Sequence, residues 1–184
     1  MALEFTANYL EDAGSLFRMY RKLAEAAMAQ VGDEAFFTVI SPESNAIAAI
    51  VKHLAGNMRS RWTEFLTSDG EKPWRDRDAE FVIGPADTRA ALMEHWQEAW
   101  QVLFATLESL TEADLGRAVT IRGERHSVLQ AIQRQLTHYA YHSGQIVLLA
   151  RHLSPPQAWT TLSVPRGRSA EFTRRVLSGE ASQR

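Results

Sequence analysis

Apolar positions recur every three or four residues along four long segments of the chain, a spacing that places side chains on one buried face of a helix. These segments cover about residues 4–30, 44–67, 87–110 and 127–152. The third begins at Asp87, a residue type that caps helices well. None of the four alternates as a strand would. The pattern therefore predicts an all-α protein built as a four-helix bundle.

The stretch between the third and fourth helices has a different pattern. Residues 119–126 alternate around Gly123, which predicts a small β-hairpin that turns at this glycine. An isolated hairpin is only marginally stable, so we expect it to pack on the bundle or on another subunit. Ser127 follows at once and is expected to start the fourth helix.

Two consecutive prolines follow the fourth helix and cannot continue it. Beyond them a short last helix is expected over residues 170–177, with Ser169 as its candidate cap. We therefore expect a four-helix-bundle domain over residues 1–155. Residues 156–184 would form a C-terminal tail whose short helix packs on the bundle.

Composition and charge argue against several classes of protein. The 184 residues are 45% hydrophobic, enough for one proper core. With 20 Lys and Arg against 22 Asp and Glu, and the basic residues scattered, no electrostatic footprint for nucleic acid is present. No apolar run of about 18 residues exists, and Glu4 and Asn8 interrupt the N-terminal stretch where a signal peptide would be apolar. We expect a soluble, cytoplasmic protein that binds neither nucleic acid nor membrane.

The candidate chemistry lies in two histidines of the fourth predicted helix. The chain has no cysteine, so a metal ion would have to be held by His, Asp or Glu. At 100° per residue His142 lies about 40° from His138, so both imidazoles share one face of the helix. Gln135 and Gln145 lie at about 60° and −20° in the same stripe. This stripe borders the apolar face of its helix.

A third histidine occupies the corresponding border of the second predicted helix. Asn57, Arg61 and Glu64 fall within about 80° of His53 on that helix, beside its apolar face. The two stripes could face each other across a cleft between neighbouring helices, as in metal sites of helical bundles. His53 would then be the third ligand of one ion.

Three neutral imidazoles would leave a divalent ion with at least one open coordination position, which is typical of catalytic sites. The open position could hold water, bind a thiol or polarise a carbonyl oxygen. Gln135 or Gln145 could orient the ligand, and Arg61 could receive a substrate anion. Arg75 and Arg77, in the charged loop that follows the second helix, could line the rim of the cleft.

Each of these residues also has a purely structural interpretation. A single pair of histidines four residues apart on a helix often holds no ion. Arg61 could pair with Glu64 or with an acid of the loop after residue 68, and Asn57 could bridge water. His95 of the third helix could be a fourth ligand, although a hydrogen-bonded histidine at the border of the core is the simpler interpretation. Tyr139 and the neighbouring Tyr141 are expected to pack in the core or an interface.

The chain resembles the DinB-like (YfiT-like) superfamily of metal-binding four-helix bundles, which carries one histidine on the second helix and a His-x-x-x-His pair on a later one. It is more closely similar to a branch of that superfamily known only as a domain of unknown function. The similar stretches are residues 52–62 (KHLAGNMRSRW), 69–72 (DGEK), 75–77 (RDR), 142–146 (HSGQI) and 162–167 (LSVPRG).

This resemblance implies a bundle, usually dimeric, with an ion on His53, His138 and His142. Zinc or nickel is expected, and iron or manganese would also suit imidazole ligands. Relatives with a known activity are enzymes that use low-molecular-weight thiols such as bacillithiol or mycothiol, including S-transferases.

Three hypotheses about function follow. The first is a metal-dependent enzyme, an S-transferase or a hydrolase, in which a thiol or water attacks a small electrophile and Gln145 and Arg61 assist. The second is a non-catalytic stress-response or binding protein with a structural or vestigial metal site. The third is a dimerisation module with an empty site.

Overall fold

The computed structural model describes residues 5–155 and 157–182. These residues are mostly helical, with one small antiparallel sheet of two strands. Within them, no helix combines the length and the apolar character needed to cross a membrane. The elements are α1 (Phe5–Met28), α2 (Asp33–Phe37), α3 (Ile47–Trp62), α4 (Arg89–Ser109), β1 (Ala118–Ile121), β2 (Glu124–Ser127), α5 (Val128–Leu153) and α6 (Ser169–Leu177), with 3-10 turns at Ala79–Phe81 and Glu112–Asp114.

The four long helices share one core. Helix α3 packs mainly against α4, α1 packs mainly against α5, and α3 also meets α5. Each contributes one aromatic ring to a central cluster: Phe17 lies 5.7 Å from Trp62 and 5.6 Å from Tyr139, and Trp100 lies 5.8 Å from Tyr139, between ring centroids. All four rings are buried.

A buried hydrogen-bond chain joins α3 to α5 inside this core. The indole nitrogen of Trp62 donates to the Tyr139 hydroxyl at 3.1 Å, and that hydroxyl donates to Asn57 Oδ1 at 3.1 Å. Because both helices carry the candidate histidines, these bonds help to fix the spacing on which any shared site depends.

The helix ends differ from the predicted ones in several places. The predicted start at Glu4 lies outside the described residues. The second long helix, α3, stops at Trp62 instead of residue 67, because Glu64 has a φ of 50° and breaks the helical backbone. The short helix α2 was not predicted.

The prediction that Asp87 caps the third long helix is wrong. The cap is Thr88, whose hydroxyl accepts from the Ala91 N–H at 3.2 Å. The carboxylate of Asp87 instead accepts from Lys52 Nζ at 2.8 Å and from the Gly84 N–H at 2.7 Å. Sequence alone did not distinguish two adjacent residues that both favour caps.

The predicted hairpin is present. Ala118 pairs with Ser127, and Ile121 pairs with Glu124. Both turn residues have positive φ, 55° at Arg122 and 77° at Gly123, as a two-residue type I′ hairpin turn requires.

The hairpin packs on its own chain. The Gly70 N–H donates to the Thr120 carbonyl at 2.8 Å, and the Asp69 carboxylate accepts from the N–H groups of Arg122 and Gly123. The loop after α3 is thereby attached to the strands.

The C-terminal segment contributes little to the core. Trp159 and Leu162 are half-buried against it, whereas no residue of α6 is buried. Ser169 is the first residue of α6 and Arg168 holds the cap position, without a side-chain cap bond. Pro156, one of the prolines that mark the end of the fourth predicted helix, lies outside the described residues.

Candidate metal centre

His53, His138 and His142 converge on one point between α3 and α5. A ring nitrogen of each lies within 4.8 Å of the others. His53 Nε2 and His138 Nε2 are 3.2 Å apart. His53 and His142 are buried, and His138 is half-buried. The two helices therefore bring together the three side chains that the sequence pattern singled out.

The spacing of these nitrogens suits a common ion. Two imidazole nitrogens at about 2.0–2.1 Å from one tetrahedral ion stand roughly 3.3 Å from each other. The observed 3.2 Å between His53 and His138 agrees with that geometry. The three histidines thus could hold one divalent ion.

Two of the rings are oriented by partners on their outer nitrogens. His53 Nδ1–H donates to Glu80 Oε2 at 2.8 Å, and His142 Nδ1–H donates to Gln145 Oε1 at 2.7 Å. A proton on Nδ1 leaves the Nε2 lone pair free to bind a metal. Such outer partners commonly orient metal-binding histidines and raise their basicity.

Glu80 is held in place from its other side by Arg75. The guanidinium forms a two-point contact, with Nε 2.7 Å from Oε1 and Nη2 2.9 Å from Oε2. Burial alone would raise the pKa of the Glu80 carboxyl, but its hydrogen bonds to His53 and Arg75 outweigh that effect and lower it. Glu80 is therefore an ionised partner for His53.

His138 and His142 are neutral at physiological pH. Burial, followed by repulsion from His142 and His53, lowers the pKa of His138 to about 3. Burial and the neighbouring His53 lower the pKa of His142 to about 4. The neutral imidazole is the form that binds metal ions, so no proton has to be displaced from either ring near pH 7.

The three histidines open onto a cleft of about 570 Å³. This volume is within the range of small-molecule sites. Its walls are strongly basic and carry several amides. Besides the histidines, the lining residues are Asn45, Asn57, Arg61, Arg75, Arg77, Phe81, Arg122, Arg134, Gln135, Thr137, Tyr141 and Gln145.

Comparison with known proteins places the chain in a family. Residues 4–168 match the family model described as protein of unknown function (DUF1572). The chain belongs to the DUF1572 family. No curated protein matches this DUF1572 chain.

The two residues predicted to assist catalysis both line the cleft of this DUF1572 chain. Gln145 holds His142 and donates from Nε2 to the Tyr141 hydroxyl at 3.0 Å. Arg61 is buried and bonded to the Gly70 carbonyl and to Glu71, whose carboxylate lies 3.1 Å away. Arg61 thus forms an ion pair with an acidic residue of the loop after α3. This pairing was the structural alternative to a role in binding a substrate anion.

Other candidate residues are distributed around or away from the centre. His95 is exposed on α4 and is not among the three clustered histidines. Asn57 is buried and accepts from Tyr139. Tyr141, expected to pack in the core or an interface, is not in the core: it is 63% exposed and lines the cleft. Arg77 lines the cleft, as expected from its position in the charged loop after α3.

Sequence reasoning missed Glu80 in this DUF1572 chain. It lies 27 positions from His53 in a 3-10 turn, where no helical spacing connects the two. One signal was present: Gly56 stands in the middle of α3, one turn after His53, where glycine costs about 1 kcal/mol relative to alanine. A Cβ at position 56 would collide with the Glu80 carboxylate.

Proposed function

We propose that this DUF1572 chain binds a divalent metal ion and is a metal-dependent enzyme that acts on a small electrophile, with a thiol or water as the nucleophile. The observation that carries the proposal is the arrangement of His53, His138 and His142. Their ring nitrogens converge, two of the rings are oriented from outside, and the cluster opens onto a cleft.

The proposal includes membership of the DinB-like superfamily and its four-helix bundle. In support, four long helices share one core, one histidine lies on α3, and the His-x-x-x-His pair lies on α5. Zinc or nickel is the proposed ion, with iron or manganese as alternatives. A homodimer and a low-molecular-weight thiol as partner complete this proposal.

Three neutral ligands and an adjoining cleft favour a catalytic role over a structural one. A divalent ion held there would supply Lewis acidity and a strongly lowered pKa for a bound thiol or water. Gln145 would keep the His142 ring in position. Arg61 would contribute positive charge to the cleft wall, since its guanidinium is fixed by Gly70 and Glu71.

The lining of the cleft favours a thiol over water as nucleophile. Among the described lining residues there is no Asp or Glu, so the cleft offers no carboxylate to act as general base. A thiol needs less help than water, because its own pKa of about 8.5 is already much closer to neutral.

The same absence of a carboxylate base also favours the alternative, a non-catalytic binding or stress-response protein whose metal site is structural. The enzymatic and the structural role differ in whether the protein consumes thiol and electrophile. The enzyme removes thiol and electrophile together, whereas the structural role predicts only a large fall in melting temperature on chelation.

The test is an assay on untagged protein loaded with zinc or nickel, with bacillithiol or mycothiol as the thiol and iodoacetate as the electrophile. The proposal expects conjugate to form faster with the wild type than with His138→Ala or the chelated protein. Equal rates for all three would contradict an enzymatic role. Equal rates of conjugate formation, together with a melting temperature that falls strongly when the ion is chelated, would favour the structural alternative.

A further inference from the structure

The cleft beside the histidines is lined by five arginines. They are Arg61, Arg75, Arg77, Arg122 and Arg134, and no Asp or Glu is among the described lining residues. These five guanidinium groups make the potential in the cleft positive.

Three of these arginines are already paired within the protein. Glu71 Oε2 lies 3.1 Å from Arg61, 3.4 Å from Arg75 and 3.0 Å from Arg122. Glu80 adds a second carboxylate on Arg75. Three guanidinium groups and two carboxylates leave this part of the cleft wall with one excess positive charge. The three arginines, however, are already engaged with the two carboxylates.

Arg77 and Arg134 are different. Among the described residues Arg134 forms no ion pair, and it is exposed. Among the same residues, the only ion pair of Arg77 is with Asp78, at 3.9 Å, and the Asp78 side chain is 99% exposed. An ion pair of this kind contributes little and is easily exchanged. Two guanidinium groups of the cleft are therefore free to bind a ligand.

Both free arginines lie close to the histidine centre. Arg134 precedes His138 by four residues on α5, so the two side chains are neighbours on one face of the helix. The guanidinium of Arg77 lies 5.4 Å from the Phe81 ring centroid, and that ring stacks on His53 at 4.8 Å with an interplanar angle of 26°. The Phe81 ring thus contacts both Arg77 and His53, one of the three candidate metal ligands.

We propose that the cleft takes a small molecule bearing a carboxylate or phosphate group, and that Arg77 and Arg134 bind this oxyanion beside the histidines. Planar guanidinium groups match the oxygens of both anions. The proposal rests on the proposed function, whose substrate class it defines: an anionic electrophile, with its charged group at the arginines and its reactive carbon toward the histidine centre.

The experiment measures binding of simple probes to the full chain by calorimetry at low ionic strength. The anionic probes are succinate and inorganic phosphate, and succinamide is the neutral counterpart of succinate. We compare the wild type with Arg77→Gln/Arg134→Gln. The matched control is Arg125→Gln/Arg174→Gln, which removes two exposed arginines that do not line the cleft.

We expect at least one anion to bind the wild type and the control alike, to bind the cleft variant at least tenfold more weakly, and succinamide not to bind. The proposal is overturned if neither anion binds, if succinamide binds as tightly as succinate, or if the cleft variant binds like the wild type.

Elemental analysis of each protein separates this proposal from the metal proposal. If no ion is found while succinate still binds through Arg77 and Arg134, the oxyanion site stands and the metal proposal fails. If the ion is present and the cleft variant binds like the wild type, the oxyanion site fails and the metal proposal stands.

Discussion

A Cβ atom at position 56 would lie 2.8 Å from the carboxyl carbon of Glu80, so glycine at this point of α3 makes room for the carboxylate that orients His53. Contacts that short are essentially never made by a real Cβ. Glu80 is clamped by Arg75 on its other side and has little freedom to retreat. The glycine and the histidine centre are therefore coupled through one carboxylate.

Substituting Gly56→Ala is expected to weaken metal binding by about tenfold or more, since loss of an outer partner of a ligating histidine typically costs that much. The matched control is Gly144→Ala on α5, where an added Cβ meets nothing within 4 Å. That control should bind metal normally and gain about 0.5–1 kcal/mol of stability. Competition with a chelating dye measures both affinities, and equal affinities would refute the coupling.

Substituting Glu80→Gln tests the carboxylate itself. The amide keeps the shape but removes the charge that supports the His53 ring, so metal affinity should fall by about 10- to 100-fold. Glu71→Gln is the control, because Glu71 also contacts Arg75 but forms no bond to a histidine. The role assigned to Glu80 is wrong if both variants lose the same affinity.

The four long helices and the three histidines could be predicted from sequence because both depend on a local rule. A helix repeats its buried face every turn, so the apolar spacing around Leu54 and Ile132 marks the core side. The same arithmetic places His138 beside His142. The hairpin could also be predicted from local sequence, because its turn requires positive φ at Gly123.

What sequence could not predict depends on contacts distant along the chain. Glu80 reaches His53 from a 3-10 turn, and three arginines converge on Glu71 from a helix, a loop and a hairpin turn. No periodicity connects these segments, so neither the outer partner of His53 nor the distinction between paired and free arginines was accessible. The early end of α3 at Trp62 reflects the backbone of Glu64, which spacing does not reveal.

Asp69 should make the stability of the protein depend on pH in the acid range. Desolvation would raise the pKa of this carboxyl, but hydrogen bonds from the N–H groups of Glu71, Gly123 and Arg122 lower it to about 2. With an unfolded value of about 3.9, its stabilising contribution is complete above about pH 5 and is lost as pH falls toward 2. We expect a contribution of at most about 2 kcal/mol.

The measurement for Asp69 is urea unfolding of the wild type and Asp69→Asn between pH 7 and pH 2.5. The gap in the free energy of unfolding should be largest at neutral pH and should shrink below about pH 4. A gap that stays constant over this range would show that the carboxylate charge is not what attaches the hairpin to the loop.

Tyr139→Phe should destabilise the fold by about 1–3 kcal/mol, because it leaves two buried groups, the Trp62 indole N–H and Asn57 Oδ1, without their shared partner. Tyr141→Phe is the matched control: its hydroxyl is on an exposed side chain, so its loss should change stability by less than about 0.5 kcal/mol. Urea unfolding at pH 7 compares them. Equal stabilities would contradict the importance of the buried chain between α3 and α5.

The three-histidine centre is tested by the metal stoichiometry of untagged protein, measured by elemental analysis after incubation with zinc or nickel and removal of excess ion. We expect about one ion per chain for the wild type and for His95→Ala. We expect no ion to be retained by His53→Ala, His138→Ala or His142→Ala, with the helical circular dichroism preserved. Wild-type protein that retains no ion above background, or variants of His53, His138 and His142 that retain it as the wild type does, would show that these three histidines do not form a metal site.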